Sequence, residues 1–344
     1  MLTNSPLARQ RRTTSGAEPG PGGHADPGLD PTGCALAIDI GGTKFAAGLV
    51  TERGEIASAR RILNPQGDDP AELFGSLVEV VDSVLHAAGI EPDEAKVLPG
   101  IGIATAAPLD RYAGTVSPVN IPAWRGFPLR DLLTERYGLD VRLFGDAVAV
   151  AIGEHWRGAA QGRRNVLGMV VSTGVGGAVI IDGRVVPGTT GNAGHIGHVS
   201  VDPFGPTCVC GGKGCLEAIA SGTNIAAWAQ AHGSDAVDAA DLADAARRGD
   251  AVALATFRRA GEAIGLAVAG AVTMLDLDVV VIGGGVAAAG SLLFDPIADG
   301  YARYARLGYA SSPRVVPALL GADAGLIGAA AVVLHPESYW PQPD

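Results

Sequence analysis

Two stretches of this chain carry the same unit, in which a glycine-rich turn with a hydroxyl side chain separates two apolar runs. The first is AIDIGGTKFAAGLV, with Thr43 in its turn, and the second is VVSTGVGGAVI, with Thr173 in its turn about 130 residues later. Apolar runs on either side of a tight turn predict paired strands. Repetition of the unit predicts an internal duplication, which fits a two-lobed protein that closes on a nucleotide.

The remaining pattern alternates strands with helices, which predicts an α/β fold. Apolar runs indicate further strands in 55–63, 97–104, 141–144 and 279–286. Helical spacing or helix-favouring composition indicates helices in 70–88, 146–156, 216–230, 238–247, 251–275, 290–305 and 323–334.

These segments suggest three regions. Residues 1–33 are rich in Pro and Gly without apolar periodicity, so we expect a disordered tail there, with a targeting peptide as the less favoured alternative. An N-terminal α/β lobe is predicted at 34–145, completed by the C-terminal helix at 323–335. A larger C-terminal α/β lobe is predicted at 146–322, and it contains a cysteine-rich loop at 198–215.

Composition narrows the classes of partner. The formal net charge of −11 disfavours nucleic acid, because an acidic surface repels a phosphate backbone. Gly and polar residues interrupt the apolar stretches before the roughly 20 residues that a membrane span needs. Three of the four cysteines lie within eight positions, which favours metal binding in a reducing cytoplasm over a disulfide framework.

The first glycine turn has the chemistry of a phosphate site. Gly41 and Gly42 lack Cβ atoms, so their backbone N–H groups can approach and donate to phosphate oxygens. Thr43 adds a hydroxyl, Lys44 adds a positive charge, and Asp39 at the strand end can hold Mg²⁺ directly or through water. A tight turn without a ligand explains this motif alone equally well.

Two further glycine clusters strengthen the nucleotide hypothesis. Residues 172–177 again combine glycine N–H groups with a threonine hydroxyl, so two facing turns can bind a triphosphate from both sides. The cluster after the strand VVVI leaves room for a flat adenine or a ribose beside a helix start. The candidates in these clusters are Thr173, Gly174, Gly176, Gly283, Gly284 and Gly285.

The most specific local pattern is a set of four nitrogen and sulfur donors. His198, Cys208, Cys210 and Cys215 lie within 18 residues, separated by glycines that permit sharp loops. This set suits tetrahedral Zn²⁺, and four protein ligands leave no open position, so the predicted role is structural. The alternative is three buried thiols and a surface histidine.

Two carboxylates, Asp146 and Glu217, lie at positions where a catalytic or substrate-binding role is expected. Asp146 follows a strand and begins a helix, so it lies where α/β proteins place their sites, although Asp also serves there as a helix cap. Glu217 follows Cys215 by two residues, so the metal loop would fix its position; a first-turn Glu favoured by the helix dipole is the alternative.

With these motifs, the chain resembles members of the ROK family (repressors, open reading frames and sugar kinases) over about 35–334. The segments that carry the resemblance are AIDIGGTKFAAGLV, SPVNIPAW, VVSTGVGGAVI, GNAGHIGHVSVDPFGPTCVCGGKGCLEAIASG and VVVIGGGV. The resemblance implies an actin-like (ribonuclease H-like) duplicated fold with a cleft between two lobes. It also implies ATP-dependent phosphorylation of a hexose, commonly at its 6-hydroxyl, and a homodimer.

The resemblance also implies roles for individual residues. Asp146 would be the catalytic base, and Asn120, His198 and Glu217 would contact sugar hydroxyls. Asp39 and the first two glycine turns would face the phosphates and Mg²⁺. Gly284 and its neighbours would lie beside the nucleoside.

The chain departs from the family pattern near the base. Gly145 and Val148 replace two asparagines, which removes sugar hydrogen bonds or moves them elsewhere. His195 stands where glucokinases of the family usually carry Glu, and bacterial N-acetylmannosamine kinases share its AGHIGH context. We therefore expect N-acetylmannosamine as the substrate, with glucose close behind; a packing role for His195 is the alternative.

Two other functions are weighed against a sugar kinase by the residues that each would need. A sugar-responsive repressor would need a helix-turn-helix domain before the first strand, where only 33 Pro- and Gly-rich residues precede it. A sugar-binding protein without kinase activity would explain Gly145 as decay, but the retained Asp146 argues against it.

Overall fold

A computed structural model describes residues 30–41, 44–65, 67–106, 108–118 and 120–340. Most of the tail predicted at 1–33 and two residues of the first glycine turn, Gly42 and Thr43, lie outside this description.

Strands and helices alternate along the chain as expected for an α/β protein. The described strands are β1 (Cys34–Ile40), β2 (Lys44–Thr51), β3 (Ile56–Leu63), β4 (Ile101–Thr105), β5 (Leu109–Asp110), β6 (Thr115–Val116), β7 (Val141–Gly145), β8 (Val166–Val171), β9 (Val175–Ile181), β10 (Arg184–Val185), β11 (Val279–Gly283) and β12 (Arg314–Pro317). The described α-helices are α1 (Pro70–Ala87), α2 (Leu129–Tyr137), α3 (Asp146–Arg157), α4 (Leu216–Ala220), α5 (Gly222–Ala231), α6 (Ala239–Arg247), α7 (Ala251–Leu275), α8 (Ser291–Tyr304), α9 (Ala324–Leu334) and α10 (Pro336–Tyr339).

Two five-stranded sheets share one topology. The first has the order β3-β2-β1-β4-β7 and the second has the order β10-β9-β8-β11-β12. In each, an antiparallel hairpin (β1–β2 or β8–β9) is followed by two parallel pairings. The repeated sequence unit is therefore the first hairpin of each sheet, and the predicted duplication is confirmed in the topology.

The side-chain alternation of β1 explains how the first sheet is packed on both faces. Its larger residues face an outer core that includes α1 and α2, whereas Ala35 and Ala37 belong to an inner core shared with α9. Small residues let the helix approach the sheet closely. Asp39 has the same parity as these alanines, so the alternation directs its carboxylate to the inner face as well.

Helices α3 and α9 form the layer between the two sheets. Their inner core joins α9 to the first sheet and α3 to the second, where it includes Val166 and Val281. They cross where Gly153 and Gly328 allow backbone contact, and a Cβ on Gly328 would lie only 1.7 Å from the carbonyl oxygen of Ala149. Helices α4–α8 cover the outer face of the second sheet.

Several local features differ from the sequence prediction. The helix expected over 216–230 is two helices, because Ser221 ends α4 and its hydroxyl accepts a hydrogen bond from Asn224 N–H to cap α5. Helices α2 and α10 and strands β5, β6 and β12 were not predicted. The predicted domain boundaries stay a proposal.

Candidate functional site

Asp146 is the first residue of α3, directly after β7, as the sequence predicts. Its Oδ1 atom accepts a 2.7 Å hydrogen bond from Ala147 N–H. The side chain is open to solvent, yet surrounding protein displaces enough water to raise the pKa of its carboxyl. Backbone hydrogen bonds and the nearby ring of His195 lower that pKa in part. His195 is therefore close enough to Asp146 for the charge of its ring to act on that carboxyl.

Asp39 lies near the end of β1, at the same end of the sheet as Asp146. Strand β4 separates the two strands, so their Cα atoms are on the order of 10 Å apart. Burial, reinforced by the charge of Asp146, raises the pKa of Asp39 to about 6, and Arg61 opposes this shift. Two carboxylates whose charges repel each other offer oxygen ligands of the kind that a divalent cation binds.

The second glycine turn abuts both α3 and the start of α4. The N–H of Val175 donates a 2.9 Å hydrogen bond to Oε2 of Glu217, and a Cβ on Gly174 would lie 2.8 Å from that same atom. A Cβ on Gly176 would lie 2.8 Å from Cβ of Ala147, the neighbour of Asp146. These close approaches place the turn beside the predicted base.

The third glycine cluster lines a cavity of about 490 Å³. Gly284 has a φ of +97°, and a Cβ there would meet the carbonyl oxygen of Val171 at 2.4 Å, so only glycine fits this turn against β8. Val150 of α3 forms part of the wall. The cavity is further lined by Val170, Ile282, Gly283, Gly285, Ala287, Ala288, Pro317, Ala318, Gly321, Ala322 and Ala324.

The four predicted zinc ligands come together. Their donor atoms all lie within 4.8 Å of one another, with 3.8 Å between Cys208 Sγ and His198 Nδ1 and 3.7 Å between the sulfurs of Cys210 and Cys215. Zn–S bonds of about 2.3 Å in a tetrahedron set neighbouring sulfurs about 3.8 Å apart. The cluster therefore fits a tetrahedral zinc site.

Both histidines of the AGHIGH segment lie beside the cysteine cluster. His198 turns Nδ1 towards Cys208, so its second ring nitrogen faces away from the cluster. His195 is exposed, its Nδ1 lies 2.9 Å from the carbonyl oxygen of Asn192, and its ring centroid lies 6.3 Å from that of His198. Its exposure and its proximity to Asp146 differ from what the packing alternative requires.

Two of the predicted site residues, Asn120 and Lys44, form no side-chain hydrogen bond with Asp146 or with the glycine turns that the structure describes. Asn120 lies in an exposed turn, and no hydrogen bond links its side chain to Asp146 within the described residues. Lys44 is exposed at the start of β2, and its carbonyl oxygen closes the first turn by accepting from Gly41 N–H at 2.9 Å.

Sequence reasoning missed the groups that surround Asp39 and the cavity. Arg61 occupies the same row as Asp39 across three strands and forms an ion pair with Asp323, just before α9. The absence of a side chain at Gly325 leaves space for the Asp39 carboxylate, since a Cβ there would lie 2.5 Å from Oδ2. Only the register of three strands could have indicated Arg61.

A protein-family profile and solved structures match the part of this chain that contains the glycine turns and the cysteine cluster. The sequence profile of the ROK family matches residues 35–335. The chain belongs to the ROK family. Its two sheets and two lobes are those of the actin-like fold. Among solved structures, the chain is similar to a ROK family glucokinase from Streptomyces griseus in complex with glucose and AMPPNP. The two superpose with a TM-score of 0.73 at 33% sequence identity, and the match covers 87% of this chain and 99% of that one.

Two curated relatives in the family differ in their named activity. A glucokinase from Thermotoga maritima is 35% identical over 316 residues, which are 87% of this chain and 96% of the relative. An N-acetylmannosamine kinase from Citrobacter koseri is 36% identical over 301 residues, which are 86% and 97% of the two chains. Such similar identities do not separate the two activities.

None of the helices in the described residues combines the length and the apolar character needed to cross a lipid bilayer. This holds for α7 too, although its 25 residues make it long enough.

Proposed function

We propose that this ROK protein is an ATP-dependent sugar kinase, which transfers the γ-phosphate to a hydroxyl, the 6-OH, of a hexose or N-acetylhexosamine. The observation that carries the proposal is the convergence of Asp39, Asp146 and a glycine-lined cavity at one end of the two sheets. The complex of the Streptomyces griseus relative with glucose and AMPPNP supports the same pair of substrates.

The nucleotide would lie across the three glycine clusters. The nucleoside would occupy the cavity beside Gly283, Gly284 and Gly285, whose small apolar walls suit a flat base. The phosphates would lie between the first turn, with Gly41, Gly42, Thr43 and Lys44, and the second turn, with Thr173, Gly174 and Gly176. Backbone N–H groups from two sides would then fix the γ-phosphate in one orientation.

Asp146 would act as the base. As the sugar oxygen bonds to the γ-phosphorus and the bond to the β-phosphate oxygen breaks, the hydroxyl proton passes to the Asp146 carboxylate, and ADP leaves. The raised pKa of Asp146 makes it a better proton acceptor than an ordinary Asp. Mg²⁺ held near Asp39 would neutralise charge on the transferred group, and zinc at the His198 cluster would keep the sugar-binding loop in place.

The sugar would be held by the metal loop and α4. Asn120, His198 and Glu217 would contact its hydroxyls, and His195 would face the 2-substituent, which favours N-acetylmannosamine first and glucose second. Glu217 already binds Val175 N–H through Oε2, so Oε1 is the oxygen left for a sugar. A cytoplasmic location and a homodimer remain parts of the proposal.

A coupled ADP-release assay over glucose, mannose, N-acetylglucosamine and N-acetylmannosamine tests this function. We expect turnover with at least one sugar, and a loss of about 10²–10⁴-fold in kcat for Asp146→Asn, the range for removing a positioned base. The matched control is Asp140→Asn, since Asp140 is an exposed carboxylate that pairs with Arg142; it should keep full activity.

The alternative is a sugar-binding ROK protein without kinase activity, which Gly145 beside the base favours. It predicts measurable binding of a sugar by calorimetry but no ADP formation with any member of the panel.

A further inference from the structure

Helix α3 carries a buried carboxylate that the proposed reaction does not use. Glu154 is only 1% exposed. Its Oε1 atom accepts hydrogen bonds from the N–H groups of Leu319 (2.9 Å) and Leu320 (2.8 Å). Its Oε2 atom accepts from Ala159 N–H at 2.8 Å and shares Leu319 N–H at 3.1 Å. Three backbone donors thus converge on one carboxylate, as a buried negative charge requires.

Two of these donors belong to the segment 317–324, which runs from the last residue of β12 to the first residue of α9 and forms one wall of the glycine-lined cavity. Pro317, Ala318, Gly321, Ala322 and Ala324 of this segment line that cavity. Glu154 therefore holds this wall through hydrogen bonds to Leu319 and Leu320, in the middle of the segment.

The segment has a second anchor at its end. Asp323 pairs with Arg61 of β3. The two ties reach the segment from different elements, α3 and the first sheet. Of the two, only the Glu154 tie is shielded from solvent, so it is the one whose strength water and salt reduce least.

The face of α3 that carries Glu154 also carries the proposed base. Asp146, Val150 and Glu154 are spaced i, i+4 and i+8, which places them in one row along the helix. Val150 lines the cavity directly. At 1.5 Å per residue, the row spans about 12 Å. One rigid helix therefore sets the distance from the proposed base to Val150 in the cavity wall and to the wall segment that Glu154 binds.

We propose that Glu154 is a positioning residue for the nucleotide: by holding the N–H groups of Leu319 and Leu320, it fixes the cavity wall at a set distance from Asp146. This inference rests on the proposed function, because it assumes that the cavity holds the nucleoside. Glu154 cannot touch a ligand in the cavity, since backbone groups enclose its carboxylate.

The test compares Glu154→Leu, which removes both acceptor oxygens at similar volume, with Glu154→Gln, which keeps one oxygen for Leu319 and Leu320. For Glu154→Leu we expect the KM for ATP to rise about tenfold, equivalent to about 1.4 kcal/mol, while the KM for the sugar stays within about twofold. Glu154→Gln should recover part of this loss. Calorimetry with the non-hydrolysable analogue AMPPNP should give the same ratio for the dissociation constant.

The matched control is His155→Ala, at the neighbouring position of α3. His155 contacts the Tyr339 hydroxyl (2.7 Å) and the carbonyl oxygen of Arg163 (2.8 Å), so its loss weakens the end of the helix without touching the cavity wall. It should lower the thermal midpoint and leave the KM for ATP unchanged. Hydrogen exchange adds a readout free of nucleotide: peptides over 317–324 should exchange faster in Glu154→Leu than in wild type or His155→Ala.

The outcomes separate the inference from the proposed function. Equal changes in both KM values, or a lower midpoint with an unchanged KM for ATP, would show that Glu154 only supports folding and would overturn the inference. If Glu154→Leu left hydrogen exchange over 317–324 unchanged, the claim that Glu154 holds this segment would be wrong. Wild-type protein that binds no nucleotide would refute both the proposed function and the nucleotide role of Glu154, whereas the exchange experiment would still measure the anchor.

Discussion

Replacing Asp39 by Asn should stabilise the free protein and abolish its proposed activity. The pKa of Asp39 is about 6 in the folded protein and 3.8 ordinarily, because burial and the charge of Asp146 both disfavour the carboxylate. The folded state therefore binds more protons than the unfolded state between these values. Stability falls as the pH rises through this window, and the whole penalty is present above about pH 6.

The size of the effect follows from the shift. A difference of about two pKa units corresponds to about 3 kcal/mol above pH 6. The same linkage leaves only about 1 kcal/mol at pH 4.5. The pKa of about 6 already includes the opposing attraction to Arg61, and the Asn side chain still carries the cost of burying a polar group, so we expect Asp39→Asn to raise the free energy of unfolding by about 1–3 kcal/mol at pH 7.5. For a chain of this size, 3 kcal/mol corresponds to about 3–5 °C in Tm.

The assay is thermal and urea unfolding at pH 7.5 and pH 4.5, without added Mg²⁺ or nucleotide. The control is Asp140→Asn, whose exposed ion pair with Arg142 should contribute less than about 1 kcal/mol at either pH. The reasoning is refuted if Asp39→Asn is less stable than wild type at pH 7.5, or if its gain is as large at pH 4.5. A more stable variant without turnover would rule out misfolding as the cause of lost activity.

Two further predictions concern Gly325 and the metal loop. Gly325→Ala would bring a Cβ to 2.5 Å from Oδ2 of Asp39 and displace that carboxylate, so kcat should fall about 100-fold, the effect of moving a reacting group by about 1 Å; Gly270→Ala in α7, where a Cβ meets nothing within 4 Å, should have no effect on kcat. Cys210→Ser should reduce zinc, measured by elemental analysis, to below about half an equivalent per chain and lower the thermal midpoint. Cys34→Ala, at the start of β1, should keep a full equivalent, and normal zinc in Cys210→Ser would contradict the four-ligand site.

The sequence predicted best those features whose determinants lie close together along the chain. The two hairpins follow from apolar runs around glycine turns, and the duplicated sheets confirm them. The four predicted metal ligands lie within 18 residues, so short loops are enough to bring their donor atoms together. The position of Asp146 at the start of α3 could be predicted because a strand pattern and a helix pattern meet at that residue, whereas its role as the base stays a prediction.

Features built from distant segments could not be predicted in this way. The cavity draws its walls from α3, β8, β11 and the segment before α9. Strand β12 is four residues long and ends in Pro317, so it has too little pattern to identify. Glu154 looks like an ordinary charged residue in an apolar helix, because its partners Leu319 and Leu320 lie about 165 residues further along the chain.

The central layer explains why stability and chemistry compete in this fold. Because α9 must pack closely on β1, the residue beside Asp39 has to be Gly325, and the carboxylate is left half-buried near a second one. The same crowding that raises the pKa of Asp39 makes the site attractive to a cation, since the repulsion is relieved when positive charge arrives. The free protein is thus destabilised at the point where the proposed Mg²⁺ and nucleotide would bind, and part of their binding energy would come from removing this electrostatic penalty.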